Sequence, residues 1–386
     1  MKSSAISRFF KTFGPGLLYA GAAIGVSHLV QSTRAGAMFN FDLVWVLVIA
    51  NFLKYPFFEF GPRYATATGT SLIEGYQRIG KWAVITFAIL TITSMFIIQA
   101  AVTVVTVGIM AYIFNITINV TVLSILVLVG SAIFLISGKY SALDRLIKFI
   151  IVLLALSTIV AVFAALGIQR DVSPDMIKQF DWKSGTDIFF LIAFVGWMPA
   201  PIDVSVWSSI WNLEKNKDLG YVPKMKNVLL EFKIGYIGTA FLALGFLSLG
   251  ALVMSGSGET LSSNGVVFAG QLISIYTDSI GNWSFWIISI AAFTTMLSTT
   301  IAVLDAYSRV MNPLIKFLTP SIWRRVVDKE RLKWFWYFII IIGASLILAF
   351  AAKSMVHMVT IATTLSFLMA PIFAWLNYKV VTDNHM

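Results

Sequence analysis

The amino-acid sequence predicts an all-α integral membrane protein with about ten transmembrane helices, and three observations lead to this fold class. The chain of 386 residues is 58% hydrophobic and only 12% charged, whereas a soluble domain carries about twice that charged fraction. Apolar stretches near the ~20 residues that a helix needs to cross a bilayer recur between residues 14 and 377. Most charged residues lie between these stretches. Water is therefore not the main solvent of the chain.

The apolar stretches form two groups of five, bounded by polar residues, glycine and proline. The spans of the first group are residues 14–37, 41–62, 82–114, 119–137 and 143–168. Those of the second group are residues 186–208, 227–254, 283–312, 333–351 and 355–378. Because five is odd, the second group crosses the membrane in the opposite sense, as in the inverted repeats of many membrane carriers. We predict one membrane domain made of two five-helix repeats, residues 1–168 and residues 169–386.

The basic residues predict the orientation of these spans. Most of the 28 lysines and arginines lie in alternate loops, and by the positive-inside rule those loops face the cytoplasm. Both termini are then cytoplasmic, and a bacterial inner (plasma) membrane is the expected location. The net charge of +10 forms no single patch, so nucleic acid is not an expected partner. The chain has no cysteine, which excludes disulfides and thiolate metal ligands.

Glycines in the first span predict a break in its helix. They weaken the helix where polar residues also lie within the bilayer. Backbone groups freed by a break are tolerated in lipid only where they line a cavity or contact a ligand. The alternative is that the glycines only let neighbouring helices approach closely. The predicted substrate-binding residues of this break are Gly25, Val26, Ser27 and His28.

Prolines in the sixth span predict a second break. Two prolines separated by a single residue cannot lie in an unbroken helix, because each removes a hydrogen-bond donor and collides with the preceding turn. One proline alone would indicate only a kink. A break in the corresponding span of each half is a sequence indication of a transport site. The predicted substrate-binding residues of this break are Trp197, Met198, Pro199, Ala200 and Pro201.

Two adjacent hydroxyl residues in the eighth span suggest a cation site. Ser298 and Thr299 lie on an otherwise apolar helix, and their hydroxyls could coordinate Na⁺ together with carbonyls freed near Ala22 and Gly25. The alternative is that each hydroxyl bonds to a carbonyl of its own helix. Both interpretations remain open at the level of the sequence.

Four ionisable residues within the spans also carry information. Asp203 follows the two prolines and is costly in a membrane unless it faces a cavity, so we predict a role in ion passage or gating. Asp305 lies near the inner end of the eighth span, as a gate or as an ion-pair partner of Arg309 four residues later. Lys54 and Glu59 in the second span either pair with each other or extend towards the interface.

Several segments match a known family in order along nearly the whole chain. The first span opens with the letters GPGLL and closes with AGA, and the second contains WVLVIANFL. Residues 198–199 are a Met-Pro pair, and residues 298–301 read STTI. These segments resemble the natural resistance-associated macrophage protein (NRAMP) family of metal-ion transporters. The resemblance implies the LeuT-type fold, a 5+5 inverted repeat in which helices 1 and 6 are broken.

The chain departs from the resembled family at the family's metal site. Where the family has Asp-Pro-Gly-Asn in the first helix, residues 25–28 read Gly-Val-Ser-His. Where it has Met-Pro-His-Asn in the sixth, residues 198–201 read Met-Pro-Ala-Pro. The acidic proton-path residues of the family's third helix are replaced by Gln99, which we predict to lie on an ion path or gate.

Without the carboxylate, the two breaks offer positive helix ends and free N–H groups, which attract a small anion. A divergent branch of the family is associated with bicarbonate, and this chain resembles it. The resemblance implies a secondary active transporter that moves bicarbonate by alternating access, with Na⁺ as the coupling ion and no other cofactor. The alternative is a divalent metal-ion (Mn²⁺, Fe²⁺ or Mg²⁺) transporter whose rearranged site uses Met198, Asp203 and His28.

Two further classes of protein have less support in the sequence. A receptor or scaffold could retain the fold without transporting, and a measurement of solute flux distinguishes it from a carrier. An enzyme is not indicated, since the sequence contains no His-Glu-x-x-His zinc pattern and no cysteine nucleophile. The sequence does not indicate an oligomeric state.

Overall fold

The protein is helical throughout the part that its structure, a computed structural model, describes. That part comprises residues 15–137, 140–167, 177–325, 329–351 and 354–383, and no strand occurs within it. Gly14 and the basic residues before it lie outside the described residues, as does part of the loop between the two predicted repeats. The division of the chain at residue 168 stays a prediction.

The first half of the chain supplies the first five predicted spans. The first span contains two short α-helices that flank a π-helix: α1 (Pro15–Ala23), the π-helix Ser27–Ser32 and α2 (Thr33–Phe39). The helices that follow are α3 (Val44–Thr68), α4 (Leu72–Ile79), α5 (Lys81–Ile113), α6 (Val120–Ile136) and α7 (Tyr140–Leu166). The short helix α4 was not predicted, and it begins with a capping box in which Ser71 and Glu74 bond reciprocally.

The second half of the chain repeats this plan with its first span divided. Its helices are α8 (Gly185–Gly196), α9 (Val204–Leu219), α10 (Met225–Leu249), α11 (Gly265–Ile280), α12 (Phe285–Leu318), α13 (Pro320–Arg325), α14 (Lys329–Phe350) and α15 (Met355–Val381). A π-helical turn, Gly250–Met254, continues α10. Helices α11 and α13 lie between predicted spans.

Six of the described helices are long and apolar enough to cross a membrane. They correspond to the second, third, seventh, eighth, ninth and tenth predicted spans. Shorter apolar helices correspond to the fourth and fifth spans and to the first part of the sixth. The first and sixth spans contain no single long helix because each is divided into pieces. Length therefore identifies six of the continuous spans, and the fourth and fifth appear as shorter apolar helices.

Large apolar side chains cover the outside of the helical bundle. Phe52 is 78% exposed, Phe163 is 71% exposed and Phe241 is 69% exposed. A monomeric soluble protein rarely exposes apolar patches of this kind to water. The outward-facing phenylalanines are therefore consistent with a surface that contacts lipid.

Pairs of tryptophans lie at two levels of the bundle. Trp45, at the start of α3, lies beside Trp182 with 5.9 Å between ring centroids. Trp82, at the start of α5, lies 5.2 Å from Trp375 near the end of α15, and the Lys379 ammonium lies over both of those rings. Tryptophan is enriched at the two membrane interfaces. The first pair lies on the predicted outer side, and the second lies on the predicted inner side.

Small residues allow the broken sixth span to lie against its neighbours. A Cβ atom at Gly61 of α3 would collide with the carbonyl of Ser205 in α9, and a Cβ atom at Gly196 would collide with the carbonyl of Thr363 in α15. These close contacts hold the two parts of the sixth span between α3 and α15. On the other side of the site, α12 lies against α5 along much of its length.

Candidate functional site

The break in the first span is short. Helix α1 ends at Ala23, the chain bends at Ile24 and Gly25, and helical structure resumes by Ser27. The N–H groups of His28 and Leu29 both donate to the carbonyl of Gly25, at 3.1 and 2.9 Å. The unwound turn predicted for residues 25–28 is therefore smaller than expected, because these hydrogen bonds restart the helix within one turn.

The break in the sixth span is wider. Helix α8 ends at Gly196 and α9 begins at Val204, and residues 197–203 between them form turns and bends. Pro199 and Pro201 have no N–H group and therefore cannot continue the α-helical ladder. The prediction of a broken sixth helix is confirmed.

A small cavity lies between the two breaks and helices α5 and α12. Its volume is about 20 Å³, which is room for one water-sized group. The residues that line it are Ala22, Ala23, Val26, Ser27, Ile98, Val102, Trp197, Ala200, Pro201, Val204, Trp207, Thr299 and Val303. No lining residue is acidic or basic.

Seven of the sequence-predicted site residues line this cavity, and the others do not. The seven are Ala22, Val26, Ser27, Trp197, Ala200, Pro201 and Thr299. The predicted residues that lie outside its lining are Gly25, His28, Gln99, Met198, Pro199, Asp203, Ser298 and Asp305. The structure therefore brings together the backbone of both breaks and one hydroxyl of the eighth span.

Three residues that line this cavity have backbone N–H groups for which the described part of the chain shows no acceptor. The backbone N–H groups of Val26, Ser27 and Ala200 donate to no acceptor among the described residues, and all three residues belong to the cavity lining. Val26 and Ser27 lie where the first span resumes its helix, and Val204, the first residue of α9, also lines the cavity. The amino ends of two helices therefore border the cavity, and in α9 the first N–H groups already donate to the carbonyls of Pro201, Ile202 and Asp203.

A cluster of acceptors lies beside these donors, around the side chain of Thr299. Its Oγ1 lies 3.2 Å from the carbonyl oxygen of Gly21, 3.1 Å from that of Ile24 and 3.1 Å from that of Thr295. The Ser298 hydroxyl reaches the same Thr295 carbonyl at 2.8 Å. Because a hydroxyl has one proton, Thr299 cannot satisfy three carbonyls at once. The carbonyls of Gly21 and Ile24, which lie at the break and outside α12, therefore keep lone pairs that suit a cation.

The carbonyls in this cluster are not the ones that the sequence suggested. We expected those near Ala22 and Gly25, whereas Gly21 and Ile24 supply them, one residue earlier in each case. The carbonyl of Gly25 is already occupied by the N–H groups that restart the helix. Thr295 was missed, although its position four residues before Thr299 is the spacing that places a backbone carbonyl next to that hydroxyl.

His28 and Met198 point away from the cavity. The Nε2 atom of His28 lies 2.9 Å from the carbonyl of Thr239 in α10, and Nδ1 lies 2.7 Å from the hydroxyl of Ser27. A carbonyl only accepts hydrogen bonds, so Nε2 carries a hydrogen. Met198 lies in a separate apolar cluster that includes Phe194 and Leu247. The His28 ring is therefore hydrogen-bonded within the protein, and Met198 is packed among apolar side chains.

Asp203 belongs to an aromatic layer below the cavity. Its Oδ2 accepts a hydrogen bond from the Tyr307 hydroxyl at 3.1 Å, and its Oδ1 has no partner among the described residues. The ring of Tyr307 contacts the ring of Trp207 edge to face, with centroids 4.9 Å apart. Trp207 in turn forms part of the cavity wall. The carboxyl group therefore faces this layer.

Asp305 closes the inner side of the same layer. Its Oδ2 pairs with Arg309 Nε at 2.6 Å, as expected for residues four apart, and it also accepts from Trp211 Nε1 at 3.4 Å. Tyr337 reaches Oδ1 at 3.4 Å. Beyond Arg309, a vestibule of about 820 Å³ opens on the predicted inner side. Aromatic rings and this ion pair thus separate the cavity from the vestibule.

Gln99 lies between α5 and α12. Its amide donates to the hydroxyl of Thr103 and to the carbonyl of Thr300, each at 3.3 Å. Its Oε1 is buried without a partner among the described residues. Its chain neighbour Ile98 lines the cavity, whereas Gln99 does not.

The two charged residues of the second span do not pair with each other. Glu59 bonds to Tyr55 and to Arg63, which are both on its own helix. Lys54 donates instead to the carbonyls of Val195 and Gly196 at the end of α8, at 2.6 and 3.2 Å. The sequence carries no local indication of this contact, since the partners are about 140 residues apart in the chain.

Comparison with known proteins identifies relatives of this chain. The family model described as natural resistance-associated macrophage protein-like matches residues 16–386. An uncharacterized protein of Pasteurella multocida (strain Pm70) is 36% identical over 377 residues, which are 96% of this chain and 85% of that protein. The match extends across both predicted repeats.

Solved structures share the fold at low sequence identity. A mutant of the Eremococcus coleocola manganese transporter matches 98% of this chain and 78% of its own with a TM-score of 0.59 and 12% identity. The structure of a nucleobase-cation-symport-1 family transporter covers 96% of this chain and 78% of its own chain, with a TM-score of 0.62 and 15% identity. The structure of a Na⁺-coupled sialic acid symporter covers 96% of this chain and 78% of its own chain, with a TM-score of 0.61 and 12% identity. The LeuT-type fold expected from the resemblance is confirmed.

The family match, the fold and the lipid-facing surface agree with one another. The chain is an integral membrane protein with the fold of secondary transporters. The chain belongs to the natural resistance-associated macrophage protein family.

Proposed function

We propose that the chain is a Na⁺-coupled carrier of a small inorganic anion and that bicarbonate is its cargo. One observation carries the proposal: a cluster of unpartnered donors and a cluster of under-satisfied acceptors lie side by side between the two broken spans. Each cluster suits an ion of one sign. Thr299 lies beside both clusters, since it lines the cavity and contacts the carbonyls.

The donor cluster supports an anion as the cargo. Three backbone N–H groups and two helix amino ends meet at the cavity, and no carboxylate lines it. Anions bind at such places through N–H groups and the positive end of the helix dipole. A divalent cation there would lose its hydration shell without any anionic ligand in return. The volume of about 20 Å³ holds one water-sized group, so binding of bicarbonate requires the cavity to widen.

The acceptor cluster supports Na⁺ as the coupling ion. Carbonyls of a discontinuous helix are common Na⁺ ligands in secondary transporters, and Gly21 and Ile24 supply two of them here. A similar structure is that of a Na⁺-coupled symporter. Two ions of opposite charge held a short distance apart also attract each other, so binding of either one strengthens binding of the other. That mutual effect is the basis for symport.

The alternative cargo is a divalent metal ion, as in the Eremococcus coleocola manganese transporter that shares the fold. The three residues proposed for it do not converge. Met198 lies in an apolar cluster, Asp203 bonds to Tyr307, and His28 bonds to the carbonyl of Thr239. No group of three or more His, Cys, Asp or Glu side chains suited to a metal occurs among the described residues. These placements favour the anion.

Flux through the purified protein in liposomes tests the proposal. Uptake of labelled bicarbonate is measured with and without an inward Na⁺ gradient, and influx of Mn²⁺ and Mg²⁺ is measured in parallel. We expect bicarbonate uptake that requires Na⁺ and no metal influx. Uptake of Mn²⁺ that persists without Na⁺ would contradict the proposal and support the alternative.

A variant of the acceptor cluster tests the Na⁺ half of the proposal. Thr299→Val keeps the shape of the side chain and removes its oxygen. We expect the Na⁺ concentration for half-maximal uptake to rise about tenfold, the effect of one lost ligand. Thr294→Val is the matched control, because Thr294 lies on the same helix and bonds only to carbonyls of that helix. An equal effect of both substitutions would argue against the site.

A further inference from the structure

Lys54 lies in the middle of α3 and is only 8% exposed. Its ammonium group donates to the carbonyls of Val195 and Gly196, at 2.6 and 3.2 Å. These are among the last carbonyls of α8, the first part of the broken sixth span. In its protonated form, Lys54 therefore places a positive charge at the negative end of a helix that ends at the cavity.

Within the described part of the chain, no carboxylate is paired with Lys54. Among the described residues no acidic side chain forms an ion pair with Lys54. Glu59, the nearest acidic residue on the same helix, bonds to Tyr55 and Arg63. Asp203, which lies across the break, directs its Oδ2 to Tyr307. An unpaired ammonium inside a membrane protein is costly, so a function is the default explanation for it.

The contact changes what the break can bind. Carbonyls at the end of an interrupted helix are the ligands that a cation would use, and here Lys54 takes them. The Gly196 carbonyl belongs to the peptide group that continues into Trp197, a residue of the cavity wall. The ammonium therefore lies about one peptide unit from the cavity, where it repels a cation and attracts an anion.

We propose that Lys54 determines the charge selectivity of the cavity: it fills the acceptor end of the broken sixth span and leaves a site for a monovalent oxyanion. This inference rests on the proposed function, since it concerns the same cavity. It adds a residue to the site that does not touch the cargo and acts through the end of α8.

Three substitutions separate the charge of Lys54 from its hydrogen bonds. Lys54→Arg keeps both, Lys54→Gln keeps a donor for the carbonyls and removes the charge, and Lys54→Met removes both. The matched control is Lys226→Gln, which removes the same charge from an exposed position at the inner end of α10. Each protein is purified, checked for a single monodisperse species and assayed in liposomes for Na⁺-driven bicarbonate uptake.

We expect Lys54→Gln and Lys54→Met to raise the KM for bicarbonate about tenfold or more, the scale for loss of a nearby buried charge. Lys54→Arg and Lys226→Gln should stay within about twofold of the unsubstituted protein. The Na⁺ concentration that gives half of the maximal increase in melting temperature should be the same for all four variants and for the unsubstituted protein. A Lys54→Gln protein with an unchanged KM, or a folded Lys54→Arg protein without uptake, would overturn the inference.

The same assay distinguishes failure of the inference from failure of the proposed function. Nitrite and nitrate are tested beside bicarbonate and Mn²⁺. If the unsubstituted protein and the Lys54→Gln protein move bicarbonate with the same KM, the function stands and the role of Lys54 falls. If it moves only nitrite or nitrate and depends on Lys54, the selectivity role stands and bicarbonate falls. If it moves only Mn²⁺, both fall.

Discussion

At the scale of single residues, the candidate Na⁺ site depends on how closely the first span approaches α12. Gly25 lies directly against Thr299, and a Cβ atom at Gly25 would lie 2.8 Å from Thr299 Oγ1 and 3.0 Å from its Cγ2. Contacts this short require the threonine to move. The absence of a side chain at Gly25 therefore sets the position of the hydroxyl against the carbonyls of Gly21 and Ile24.

The first residue-scale prediction is that Gly25→Ala weakens the Na⁺ dependence of transport. The added methyl group displaces Thr299, and overpacking of this kind costs about 1–3 kcal/mol. We expect the Na⁺ concentration for half-maximal uptake to rise about tenfold. The control is Gly130→Ala in α6, where an added Cβ meets no atom within 4 Å. Unchanged Na⁺ dependence in Gly25→Ala would place the cation elsewhere.

At the scale of elements, the second part of the first span is held tightly against the seventh. A Cβ atom at Gly36 of α2 would collide with the carbonyl of Leu247 in α10, and one at Gly250 would collide with the carbonyl of Thr33. The two glycines therefore allow the two backbones to come into direct contact, as small residues do between membrane helices. This contact positions the helix that carries Ser27 and His28.

The second prediction concerns this contact between elements. Gly250→Ala adds a methyl group where only backbone can give way, so we expect a loss of about 1–3 kcal/mol in the free energy of unfolding. The measurement is the melting temperature of the purified protein in detergent. Gly238→Ala is the control on the same span, since nothing lies within 4 Å of its added Cβ. Equal melting temperatures for the two variants would contradict the packing argument.

At the scale of the whole molecule, aromatic side chains lie on two sides of the cavity. Trp207, Trp211 and Tyr307 separate it from the inner vestibule. Towards the other side, Trp197 Nε1 donates to Ser366 Oγ at 2.7 Å and joins the broken sixth span to α15. The vestibule lies on the side that the basic loops assign to the cytoplasm.

The third prediction tests this orientation. The chain has no cysteine, so a single introduced cysteine reports only its own position. We expect a membrane-impermeant maleimide to label Trp283→Cys in intact cells, and to label Lys224→Cys only after the membrane is permeabilised. Both positions are exposed, and the unsubstituted protein is the background control. The opposite labelling pattern would reverse the proposed topology and place the vestibule outside.

Much of the fold could be predicted from the sequence because the bilayer acts on each segment separately. A run of apolar residues is stable in hydrocarbon wherever its neighbours lie, and two prolines break a helix by their own geometry. The spans and the break at residues 197–203 follow from such local rules. The short helices α4 and α13 did not, because they lie between spans, where that constraint is weaker.

The sequence by itself determined the membrane class, the ten spans, the broken helices, the family and Thr299 as a candidate cation ligand. Only the tertiary structure decided that Gly21 and Ile24 supply the carbonyls, that His28 turns to Thr239 and that Lys54 reaches α8. The physical reason is that a binding site depends on the relative rotation and depth of helices far apart in the chain. Those quantities are set by packing between helices, which no local pattern records.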